Sequence, residues 1–208
     1  MPQTPKRSAL PVALLVGVAV ALALAFFLFR PAASPSARGN LEGASIGGEF
    51  QLVDETGRPT RWGDFAGQWR LVYFGYTFCP DVCPVDTAHL AQGLKRFEEA
   101  APRRAGRVQP IFVTVDPARD TPEVLAEFTN AFHPRLLGLT GSEAEIEATL
   151  KAFRVYARRA EGASADSYLV DHLAAIYLFA PDGAPVAFIA GPEASPEAVF
   201  ALLDRHVR

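Results

Sequence analysis

Between Ala9 and Phe29 the chain reads ALPVALLVGVAVALALAFFLF, 21 residues without a single charge. As a helix this run is about 31 Å long, which matches a hydrocarbon core of roughly 30 Å. A cleaved signal core is shorter, at about 7–15 residues, so the run is read as an uncleaved anchor. Lys6 and Arg7 precede it and Arg30 follows it. The excess of positive charge on the N-terminal side puts residues 1–8 in the cytoplasm and the rest of the chain outside. No cysteine lies nearby to carry a lipid. Residues 30–44, rich in Ala, Ser, Pro and Gly, read as a flexible linker, and residues 45–208 as one domain.

The domain has the apolar content for a sizeable core, half the residues of the chain being hydrophobic. Lys and Arg number 20 against 23 Asp and Glu, with no basic stripe, so nucleic acid is excluded as a partner class. Residues 49–53 alternate and end in the turn DETGRP, which predicts a hairpin. WRLVYFGY at 69–76 and VQPIFVTV at 108–115 predict buried strands. Leu90, Leu94, Phe97 and Ala101 share one face of a helix expected from Pro84. Thr121-Pro122-Glu123 starts a second helix, the capping box Ser142/Glu145 a third, and Ser195-Pro196-Glu197 a last one. Pro181-Asp182-Gly183 joins two strands, 174–180 and 185–190. The order hairpin, β, α, β, α, α, hairpin, α calls for a mixed sheet with helices on both faces.

TFCPDVCP, residues 77–84, holds the chain's two cysteines. A bridge between Cys79 and Cys83 would close a very small loop and restrict the unfolded chain little, so a purely structural disulfide explains them poorly. A cysteine pair between a strand and its following helix is the thioredoxin-like arrangement. The prolines after each cysteine disfavour helical backbone there, which predicts Cys83 at the helix cap and Pro84 in the first helical position. The helix N-terminus would then favour thiolate over thiol. Two chemistries stay open: a dithiol that exchanges electrons, and a soft-metal clip for which Cu(I) is the natural guest. A third donor would separate them. Of the four histidines, His89, His133 and His206 read as structural or solvated. His172, in LVDHLAAIYLF, stands where thioredoxin-like folds bring a loop to face the cysteines, and can be either a ligand or a plain strand-edge residue.

Three stretches together resemble the signature blocks of the SCO/SenC family: GYTFCPDVCP (75–84), VTVDPARDTPEVL (113–125) and YLVDHLAAIYLFAPDG (168–183). The resemblance runs from about residue 42 to 207. It implies an α/β, thioredoxin-like fold behind an N-terminal transmembrane helix. It also implies a copper site at Cys79, Cys83 and His172, holding Cu(I) and able to take Cu(II). The implied role is a metallochaperone for the dinuclear copper site of cytochrome c oxidase. Its partners would be the copper-bearing oxidase subunit and another periplasmic copper chaperone or thiol–disulfide reductase. The implied location is the bacterial inner membrane, single-pass, with the domain in the periplasm. Asp81 and Asp171 are acidic neighbours that could orient His172, while Asp116, Arg119 and Asp120 read as a loop-fixing ion-pair and cap set. The rival roles are a thiol–disulfide oxidoreductase using Cys79 and Cys83 as a redox pair, and a peroxidase using Cys79 alone. Nothing in the sequence marks a peroxide site.

Overall fold

The computed structural model describes residues 38–160 and 168–208. The apolar run at 9–29 and most of the segment read as linker lie outside the described residues. Among those described, no helix is long and apolar enough to cross a membrane.

The centre of the fold is β4 (Trp69–Gly75) paired in parallel with β5 (Val108–Thr114). Both are buried almost throughout, which is why their sequences are continuously apolar rather than alternating. The crossover between them carries α1 (Val82–Ala100) and the short α2 (Pro102–Ala105). β5 is followed by α3 (Pro122–Phe132) and then by β6 (Leu137–Thr140), again parallel. α4 (Glu143–Ala152) comes next. β9 (Ala175–Phe179) lies antiparallel to β4 on its other side, followed by β10 (Pro185–Ala190) and α5 (Pro196–His206). The hairpin of β2 (Gln51–Asp54) and β3 (Pro59–Arg61) extends the sheet beyond β6, and β1 (Arg38–Asn40) closes the opposite edge on β10. The full order is β1-β10-β9-β4-β5-β6-β2-β3. This is the mixed, thioredoxin-like sheet expected.

Two departures from the sequence reading in the main sheet are caused by pairing with strands distant in the chain. β6 lies between two helices that were expected to follow one another directly. Its four residues, LGLT, are too few and too interrupted by glycine to register as a strand; pairing with β5 and β2 makes them one. β1 falls within the segment read as linker, where small residues give no strand signal and only the free edge of β10 recruits it.

The two faces of β4 show how the layers are built. Tyr73 points toward α1, its hydroxyl donating to Asp86 at 3.2 Å. Phe74 points the other way, to Phe153 just after α4 at 5.4 Å between centroids. On that second face Phe50, Trp62, Phe153 and Phe179 pack edge to face at 5.1–5.5 Å, with Phe50 and Phe153 tilted at 6.2 Å. Such pairs each add about 0.5–1.5 kcal/mol beyond the area they bury. The first face is covered by α1, by α3 through Phe128 on Phe112, and by α5 against α1.

The α1–α5 contact depends on Gly93. A Cβ there would stand 2.5 Å from Val199 Cβ and 2.8 Å from the Pro196 carbonyl oxygen. Both neighbours are stiff, so the helices would have to part. Alanine gains about 1 kcal/mol in helix propensity but overpacking costs about 1–3 kcal/mol. Gly93→Ala is therefore expected to lower the thermal midpoint, by up to about 8 °C for a net loss of up to about 2 kcal/mol. An unchanged midpoint would mean the two helices can yield.

Candidate metal centre

Cys79 lies in the turn that leaves β4, and Cys83 lies inside α1. The helix starts two residues earlier than the prolines suggest: Asp81 precedes it, Val82 is first, Cys83 second and Pro84 third. A proline has no N–H to lose, and the first-turn N–H groups have no intrahelical acceptor anyway, so Pro84 is tolerated at the third position. Packing outweighs the pre-proline bias at Cys83, whose side chain is fully buried. Gly75 makes that burial possible. A Cβ at 75 would meet Cys83 Sγ and Phe112 at 3.2 Å and Tyr73 at 2.7 Å.

The expected helix-terminus effect is also redirected. Cys79 Sγ, not Cys83, sits at the open end of the helix, accepting the Cys83 N–H at 3.4 Å. Burial pushes the Cys83 thiol well above its ordinary pKa, outweighing the Tyr76 backbone and Tyr73 side-chain hydrogen bonds that lower it. Desolvation defeats the dipole here because no water reaches the sulfur. Both cysteines are free thiols.

His172 ends β8 (Val170–His172), which pairs only with β7 (Ala157–Arg159) in a two-stranded arm separate from the main sheet. The arm brings His172 Nε2 to 3.2 Å from Cys83 Sγ. Burial lowers the imidazole pKa, against smaller raising effects of the Leu173 backbone and Asp171. Thiol and imidazole are thus both neutral at pH 7, with S–H donating to Nε2. That tautomer carries its proton on Nδ1, which is buried without a well-formed hydrogen bond. The Nε2 lone pair, the one a metal would use, points at sulfur. The ring is held edge-on by Tyr76 and Tyr73, at 5.9 and 6.3 Å between centroids. Among the described residues no three Cys, His, Asp or Glu side chains already stand together as a finished cluster. Cys83 and His172 are in contact, and Cys79 borders them through the Cys83 amide. Two thiols and an imidazole nitrogen form a soft donor set that fits Cu(I) better than a hard cation.

The acidic neighbours divide. Asp81 and Asp171 are exposed, and Asp81 caps nothing with its side chain. Asp120 is fully buried and fixes the cysteine loop, accepting from Thr77 N at 3.1 Å, Thr77 Oγ1 at 2.6 Å and Thr114 Oγ1 at 2.6 Å. Asp116 pairs with Arg119 Nε at 2.5 Å. The loop-fixing role read for this set thus matches its contacts, and Tyr168, missed in the sequence, joins it by donating to Asp116 at 2.6 Å. The other histidines stand apart from the site. His133 is buried; its Nδ1 accepts the Arg135 N–H, so Nε2 donates to Glu98 at 3.2 Å. Among the described residues the exposed large apolar side chains are Phe78, Val82 and Val85 around the cysteines, Leu169 and Leu173 beside His172, and Tyr156 just before β7.

Known proteins are similar to this chain in sequence and fold. The family model described as SCO1/SenC matches residues 38–208. The bovine mitochondrial protein SCO2 homolog is 46% identical over 144 residues, 69% of this chain and 53% of that protein. The chain thus spans about half the length of this curated relative. Protein SenC of Rhodobacter capsulatus is 42% identical over 165 residues, 77% of this chain and 72% of that one. The structure of Bradyrhizobium japonicum ScoI with copper bound superposes with a TM-score of 0.69 at 37% identity, covering 77% of this chain and 99% of the other. With its sheet, its cysteine loop and a family match over the whole domain, the chain belongs to the SCO1/SenC family.

Proposed function

We propose that the chain is a membrane-anchored copper metallochaperone for cytochrome c oxidase. It holds Cu(I) between Cys79, Cys83 and His172 and passes it to the dinuclear copper site of the oxidase's copper-bearing subunit. The observation that carries this reading is the 3.2 Å approach of His172 Nε2 to Cys83 Sγ, made by the separate β7–β8 arm. Copper-bound relatives of the same fold support it. Residues 9–29 supply the anchor, residues 1–8 stay in the cytoplasm, and the domain faces the periplasm of a bacterial cell.

The ion is cargo, so the site must both hold and release it. Capture displaces the thiol protons to solvent, which buried Cys83 would otherwise keep. The three donors draw in around the ion. Release proceeds by ligand exchange, in which acceptor thiolates replace the donors one at a time. Cys79, 8% exposed, is the outer sulfur and Cys83, at 0%, the inner one, so exchange begins at Cys79. The apolar rim suits transient docking of a protein acceptor and keeps water from the ion.

The second reading, a thiol–disulfide oxidoreductase that reduces the acceptor's cysteines before metallation, uses the same free thiols. One experiment separates the two. The Cu(I)-loaded full chain is mixed with the reduced copper domain of the oxidase subunit, and the metal-free chain with the oxidised domain. Copper should appear on the acceptor in the first mixture. No copper movement there, with rapid thiol exchange in the second, would replace the chaperone by the reductase.

A further inference from the structure

The arm that carries His172 makes no backbone ladder with the main sheet, so something else must fix where the imidazole points. Burial along the arm alternates strictly: Tyr168, Val170 and His172 turn inward, while Leu169, Asp171 and Leu173 are exposed. Side chains two apart on a strand share a face, so the seat of Tyr168 dictates the face on which His172 appears. A slip of one residue would present Asp171 to the sulfurs instead.

Tyr168 has an elaborate seat. Its hydroxyl donates to buried Asp116 at 2.6 Å. The guanidinium carbons of Arg119 and Arg159 each lie 3.6 Å from its ring centroid, which two such groups can do only from opposite faces. Arg119 also pairs with Asp116 at 2.5 Å and lies 4.8 Å from the ring of Phe78, the residue before Cys79. Arg119 Nη2 is buried without a hydrogen bond, so stacking rather than a full set of hydrogen bonds sets its place. One guanidinium thus touches the cysteine loop on one side and the histidine arm on the other. A second fastening agrees with this seat: Val170 N–H donates to Tyr76 Oη at 3.2 Å.

We propose that Arg119 and Tyr168 form a latch that positions His172, holding the β7–β8 arm in the register that turns the imidazole toward the cysteines. Arg119 is then a positioning residue and not only the loop-fixing ion-pair member of its own turn. The inference rests on the reading of His172 as a copper ligand. Lysine cannot replace it, since a point charge keeps the Asp116 pair but loses the planar stack on Tyr168.

The test is a double-mutant cycle on the full chain, reduced and anaerobic, with Cu(I) partitioned against a competing chelator. Arg119→Ala should weaken Cu(I) binding by about 10–100-fold, the usual effect of losing a group that orients a ligand. In a His172→Ala background the same substitution should change affinity by less than about twofold, because there is no imidazole left to position. Tyr168→Ala, acting from the arm's side, should give the same pattern. Amide exchange of the metal-free protein supplies a readout without copper. Arg119→Ala should speed exchange at Val170 while the β4 amides stay protected.

Wild-type affinity in Arg119→Ala, or losses that multiply with His172→Ala, would overturn the latch while leaving His172 as a ligand. Loss of protection throughout β4 would also overturn it, by making the effect one of global stability. If His172→Ala itself binds Cu(I) as wild type does, the ligand reading fails and the latch with it.

Discussion

Cys79→Ser and Cys83→Ser should each remove tight Cu(I) binding and leave the oxidase without its copper. A hydroxyl is a hard, weakly acidic donor and does not replace a thiolate for a soft ion. Dividing the roughly 10–16 kcal/mol typical of a four-ligand structural metal site gives about 2.5–4 kcal/mol per donor, a loss of roughly sixty- to several-hundredfold. The two variants should differ in stability. Cys83 is fully buried, so a serine there adds a hydroxyl that needs a partner, at a cost of about 1–3 kcal/mol if it finds none. Cys79→Ser, nearer the surface, should melt close to wild type. Cu(I) competition and thermal unfolding on the same samples check both statements. A serine variant that keeps wild-type affinity would remove that cysteine from the site.

His172→Ala should separate the metal from the electrons. Cu(I) affinity should fall by roughly sixty- to several-hundredfold on the same per-donor reasoning. The midpoint potential of the dithiol should barely move. The reduced protein loses one hydrogen bond between Cys83 and the imidazole, worth about 1 kcal/mol. For a two-electron couple that is about 20 mV, and the sign is toward a lower potential, since the reduced form is the one destabilised. Redox titration against a glutathione or dithiothreitol series measures it. A shift of 100 mV or more, on the order of 5 kcal/mol, would mean that His172 governs the dithiol itself and would favour the oxidoreductase reading.

Much of this molecule is written locally in its sequence, and the exceptions share a cause. The caps at Thr121, Ser142 and Ser195 are where the residues alone put them, because a capping oxygen acts on an amide two or three positions away. The strands 69–75 and 108–114 are legible because burial on both faces leaves an unbroken apolar run. β1, β6 and the β7–β8 arm are not legible: each is three or four residues long and exists only because a distant strand pairs with it. At the site, Cys79, Cys83 and His172 could be named from motif and position. The burial of Cys83 could not be, since it depends on Gly75 leaving room and on Tyr73 closing over it. A terminus effect read from local sequence is therefore reversed by a packing effect that is not. Tyr168 was passed over for the same reason: its partners Arg119 and Asp116 lie some fifty residues earlier in the chain.

The most direct test of the central claim is an anaerobic Cu(I) titration of the reduced full chain against a competing chelator, with His172→Ala run beside it. The account predicts one tight equivalent in the wild-type protein and clearly weaker binding in the variant. Binding that is absent, or equally tight with and without His172, would contradict a three-donor copper site and leave Cys79 and Cys83 as a dithiol whose work is electron transfer.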